Sequence, residues 1–88
     1  MPTVLRADGF RVVVYGPPRE HPPPHAHVEY GTTGLVVIRL ATKISPPKVW
    51  AVYNMKDRDV LRAYRLVERH HTVLMQTWRA IHDETQPE

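Results

Sequence analysis

The chain has 88 residues, no cysteine, and 12 basic against 9 acidic side chains, for a formal net charge of +3. That length fits one domain with a thin core, and the missing cysteines exclude disulfides and thiolate-bound zinc. No stretch approaches the roughly 20 apolar residues that span a bilayer, and the first residues lack the basic and long apolar regions of a secretory signal.

The positive bias is uneven. Residues 1–56 carry seven basic and three acidic groups, while residues 57–88 carry five and six. A mild excess of this kind permits a nucleic-acid partner without requiring one. Five of the nine prolines lie between Pro17 and Pro24. Before them, Phe10-Arg11-Val12-Val13-Val14-Tyr15 is rich in β-branched and aromatic residues and predicts a strand. Both of its faces are mostly apolar, which suits a central position. Gly16-Pro17-Pro18 ends it, since proline donates nothing to a ladder.

A second strand is expected over 25–30. Alternation places Ala26, Val28 and Tyr30 on one face and His25, His27 and Glu29 on the other. Gly31-Thr32-Thr33-Gly34 predicts a turn into a third strand over 35–40, forming a hairpin with the second. Pro46-Pro47 interrupts the chain, and Lys48-Val49-Trp50-Ala51-Val52-Tyr53 predicts a fourth strand.

From Asn54 the period becomes helical. Asn54 or Asp57 can cap the helix, and Asp59 suits the positive end of its dipole. Val60, Tyr64, Val67, His71, Leu74, Trp78 and Ile81 form a core-facing stripe, widened by Leu61 and Met75 on one edge and Ala63 on the other. Leu66 and Val73 fall outside it. The fold class is therefore α+β: a small antiparallel sheet of three to four strands packed on one long C-terminal amphipathic helix over 54–83. A proline-rich loop spans 17–24, and 84–88 form a flexible tail. A helix of that length measures about 42 Å at about 1.5 Å per residue, far more than four strands about 4.8 Å apart can cover. Either it bends near His70-His71-Thr72-Val73, where helix propensity is weak, or another chain covers the overhang. The partner chain, identical or not, is the favoured reading.

The segment richest in chemistry is His21-Pro22-Pro23-Pro24-His25-Ala26-His27-Val28-Glu29. Imidazoles two apart on a strand project side by side and can share one metal ion. They can equally act as general acid and base, because imidazole titrates near neutral pH. His21 is a tethered third candidate, with Pro22-Pro23-Pro24 holding the intervening chain extended and stiff. A divalent metal such as zinc would draw on His21, His25, His27 and Glu29. The plainer reading is a polar strand face beside prolines that protect a sheet edge.

His71 interrupts the apolar stripe and reads more simply as a core or interface histidine than as a site residue. Alternation turns His25 and His27 away from the helix that carries it. His70 and His82 read as solvated. Arg58, Arg62, Arg65 and Arg69 line the outer helix face, where they can meet phosphates or form local pairs such as Asp59–Arg62 and Arg65–Glu68. The chain has no glycine-rich phosphate loop, no serine or cysteine nucleophile constellation and no helix-turn-helix pair.

The whole chain resembles the domain of unknown function 4160 family of bacteria and archaea. The resemblance is carried by Met1-Pro2-Thr3-Val4-Leu5-Arg6, by Asp8-Gly9-Phe10-Arg11 leading to Val13-Val14-Tyr15, and by Glu20-His21-Pro22-Pro23-Pro24-His25-Ala26-His27-Val28. Leu66-Val67-Glu68, Leu74 and Trp78 resemble its closing pattern, while residues 41–53 are the least typical. Members of the family are often encoded beside another small domain family, in a pairing that resembles a toxin–antitoxin module. The resemblance implies a cytoplasmic protein with a protein partner, and a toxin that attacks RNA is one form this could take. It supplies no established catalytic residues. Two classes of function therefore stand side by side: an RNA-cleaving toxin using His25 and His27, with His21 nearby, and a non-catalytic module. The latter would bind a partner protein or a second copy through the helix, or hold a metal.

Overall fold

The computed structural model describes the backbone of residues 3–16 and 22–85, with side chains to residue 82. Five strands form one antiparallel sheet in the order β1-β2-β3-β4-β5. They are β1 (Thr3–Ala7), β2 (Phe10–Val13), β3 (His25–Tyr30), β4 (Gly34–Arg39) and β5 (Lys48–Tyr53). Two helices follow, α1 (Asp57–Arg69) and α2 (His71–Thr85). The α+β class and antiparallel sheet are as expected, but three to four strands become five and the one long helix becomes two.

The additional strand is β1. Asp8 and Gly9, with φ of 53° and 85°, form a two-residue turn that folds β1 back onto β2. Positive φ at both central positions gives the twist that antiparallel neighbours need, and Asp-Gly is a sequence suited to it. The fold gains a strand, and β2 becomes internal as its apolar faces require.

The helix breaks at His70, whose φ of −107° and ψ of 21° leave the helical region. The interruption is one residue long: His70 N–H still donates to the Leu66 carbonyl, and Leu74 N–H to that of His70. The break falls at the first residue of the weak-propensity stretch. It is the interruption near His70-His71-Thr72-Val73 that stood as the alternative to a covering chain. The N-terminus of α1 also differs, since Lys56 occupies the cap position without a side-chain hydrogen bond. Asn54 takes φ of 51° in the preceding turn, and Asp57 and Asp59 stand in the first helical turn beside the dipole.

The core lies between one sheet face and the helices. Val12, Val14, Ala26, Val28, Val36, Ile38 and Leu40 meet Ala63, Leu66, Val67, Leu74 and Trp78. The buried line of α1 is therefore rotated from the expected stripe: Leu66 is buried and Leu61 exposed. Val73 stays exposed, as its position outside the stripe implied. Arg62 fastens α1 to the first hairpin. It donates to the Asp59 carboxylate at 3.0 Å, reaches the Asp8 carbonyl at 3.4 Å and sits over the Phe10 ring at 5.0 Å. The Tyr30 side chain, and after it the Asp59 carboxylate, raise the Arg62 guanidinium above its ordinary value.

Candidate functional site

Strand alternation sets the site. Ala26 and Val28 point into the core, and alternation sets His25, His27 and Glu29 on the other sheet face; His25 is nevertheless not turned away from the helix that carries His71, because its ring lies 5.1 Å from that of Trp78 on α2. Pairing registers then build three cross-strand rows on that face. The first joins His25, Arg39 and Lys48; the second Val13, His27, Val37 and Ala51; the third Arg11, Glu29, Leu35 and Tyr53.

His25 and His27 lie side by side with ring centroids 5.7 Å apart. His25 is only 6% exposed. Its ring is 5.2 Å from that of Trp50 and 5.1 Å from that of Trp78. Its Nδ1 lies 2.9 Å from the Pro23 carbonyl oxygen. A carbonyl oxygen can only accept, so Nδ1 carries the proton and Nε2 is the nitrogen suited to proton transfer. His27 is half-buried, with the Tyr15 ring edge-on at 4.9 Å. The proline run thus places a backbone acceptor under His25. The Pro22–Pro23 peptide bond is cis, a departure from the all-trans extended run that three prolines predict.

Three residues that sequence reasoning passed over complete the surroundings. Arg39 sits directly opposite His25 on β4. Its Nη2 donates to Ser45 Oγ at 3.1 Å and to the Pro46 carbonyl at 2.8 Å, while its Nε is buried without a hydrogen-bond partner. A β-bulge brings Trp50 to the site: the register slips between Val37 and Ile38, and the additional residue on β5 turns its side chain toward His25. Trp78 arrives from α2, where the His82 ring stacks on it at 3.6 Å and His82 Nδ1 donates to its carbonyl. His82 is therefore buried, not solvated as expected, because this stack removes it from water.

The remaining candidates lie elsewhere. Glu29 is drawn to Arg11, with Nη1 and Oε1 2.6 Å apart. His71 lines a separate groove of about 460 Å³ with Pro23, Pro24, Leu40, Met75 and Arg79. Among the described residues, no ring contact or hydrogen bond joins His71 to His25 or His27. Nor do three or more histidine, aspartate or glutamate side chains come together as a metal-binding group among them. His21, the tethered third candidate, lies outside the described residues, as do the rest of the 17–21 loop and residues 86–88. Of the arginine line, Arg62, Arg65 and Arg69 border a hollow of about 220 Å³ with Asp8 and Phe10, and the expected Asp59–Arg62 pair is present. No helix among the described residues is long and apolar enough to cross a membrane.

No curated protein and no solved structure matches the chain. Residues 9–79, which take in β2 through most of α2 and the whole histidine face, match the domain of unknown function DUF4160. The chain belongs to that family.

Proposed function

We propose that the protein is the RNA-cleaving component of a cytoplasmic toxin–antitoxin-type pair, with His25 and His27 as its acid and base. The observation that carries this reading is the pairing of two adjacent imidazoles with Arg39, whose buried Nε lacks a partner. Buried donors are rarely left unsatisfied, and an arginine N–H beside an acid–base pair suits a phosphate oxygen. Exposed Trp50 and Tyr53 share the face with Lys48. Aromatic platforms among cations are what single-stranded nucleic acid requires, because bases stack on the rings while the cations meet the backbone.

In the reaction, one histidine takes the proton of a ribose 2′-hydroxyl as its oxygen attacks the adjacent phosphorus. The other protonates the 5′-oxygen as the phosphorus–oxygen bond breaks. Arg39 stabilises the charge that develops on the non-bridging oxygens. The products are a 2′,3′-cyclic phosphate and a free 5′-hydroxyl. Incubating the purified protein with end-labelled single-stranded RNA in excess chelator tests this. Fragments with cyclic phosphate ends are expected, and intact RNA would overturn the proposal.

A second reading, a non-catalytic interaction module, is favoured by a different observation. Trp50, Val52, Tyr53 and Leu61 are large apolar or aromatic side chains left exposed on β5 and α1.

A further inference from the structure

Both sheet edges carry a register irregularity, a device that discourages edge-to-edge pairing: β1 between Thr3 and Leu5, and β5 opposite the Val37–Ile38 step. β1 adds an exposed arginine, Arg6, within the strand. β5 is the other edge. Its bulge is confined to its first half, and residues 51–53 pair regularly with 35–37. Between Val49 and Tyr53 it has neither charge nor proline, and Val52 is 43% exposed. Beside it, on the helix side, an apolar hollow of about 420 Å³ is bordered by Val49, Val60, Leu61 and Tyr64, with Asp57 at its end. Leu61 is 47% exposed.

We propose that β5 pairs antiparallel with β5 of a second copy, joining two five-stranded sheets into one across a two-fold axis. A two-fold interface must be complementary to itself. β5 begins at Lys48 and leads through the Asn54 turn to Asp57, both exposed and without an ion-pair partner among the described residues. Antiparallel pairing about Ala51 sets Lys48 of each copy alongside the Asn54–Asp57 end of the other, so two opposite-charge contacts flank the joined strands. The backbone groups along the outer side of β5 gain partners, and Leu61 of each copy closes the other's apolar hollow. Lys48 and the edge over residues 50–53 belong both to this interface and to the face proposed above to meet RNA, so association and cleavage are measured separately.

Sedimentation velocity across about 1–100 µM, a range that brackets modest interfaces, tests the proposal on the full chain. A dimer is expected. Val52→Lys sets two like charges within the joined edge and should raise the dissociation constant about tenfold or more. Lys48→Glu and Asp57→Lys should each weaken association, and the double variant Lys48→Glu/Asp57→Lys should restore it, with circular dichroism showing a folded protein throughout. A monomer at every concentration overturns the proposal, and so does a dimer indifferent to Val52→Lys or unrescued by the double reversal.

Discussion

Replacing His27 with alanine is expected to abolish growth arrest on induction and to reduce RNA cleavage by about 10²–10⁴-fold, the usual worth of a positioned acid or base. His27 is half-buried, and its neighbours in the second row are Val13, Val37 and Ala51. Its removal should therefore leave the fold intact. His25 needs a different substitution. Its ring touches both tryptophans and donates to the Pro23 carbonyl. Alanine there would remove a buried ring as well as a proton donor, at a cost of about 2–4 kcal/mol by analogy with other large core truncations. Asparagine keeps an N–H near the Nδ1 position but cannot exchange a proton at neutral pH. His25→Asn should therefore keep most of the stability and lose the activity. Growth arrest that persists in both His27→Ala and His25→Asn would refute the catalytic assignment, whatever the protein binds.

A large effect on stability is also expected at Gly34, the first residue of β4. A Cβ there would lie 2.6 Å from the Tyr30 carbonyl oxygen and 3.2 Å from that of Asn54. Both are backbone atoms, held by the β3–β4 turn and by the exit from β5, so neither has a side-chain torsion with which to retreat. Gly34→Ala should destabilise by about 2–3 kcal/mol, at the upper end for overpacking. Each kcal/mol shifts the melting temperature of so small a domain by about 4–8 °C. Gly31, three residues earlier, is the control. Its φ is 66° but a Cβ there meets nothing within 4 Å. Gly31→Ala should cost only about 1 kcal/mol, the backbone component alone. Equal melting temperatures for the two variants in a thermal scan would show that the Gly34 contact relaxes freely.

What could be read from the sequence divides along physical lines. The alternation of β3 placed His25 and His27 together because a strand's period of two is insensitive to its surroundings. The same rule failed on β5, where one bulged residue changes which face Trp50 meets, and a bulge leaves no mark in composition. Asp8-Gly9 was readable as a hairpin turn and would have disclosed β1. The segment before it is short, and its apolar residues Val4 and Leu5 are adjacent rather than alternating, so it carries no period-two signal. The helix stripe was judged by even spacing along about 28 residues. Once His70 interrupts the helix, the two halves turn separately, so Leu66 faces the core while Leu61 does not. Arg39 was invisible as a site residue because its place opposite His25 depends on the hairpin register, which side-chain type does not encode.

The chain contains two tryptophans, and both touch one imidazole. A protonated imidazole quenches indole emission more strongly than a neutral one. Intrinsic fluorescence is therefore an optical gauge of the charge on His25, with no label required. His82 also stacks on Trp78, so in a Trp78→Phe background the Trp50 signal isolates His25. Emission from that variant should rise in His25→Asn, where the quenching ring beside Trp50 is gone. RNA stacking on Trp50, as proposed above, would shift the same band, so polynucleotide binding can be followed in the same cuvette.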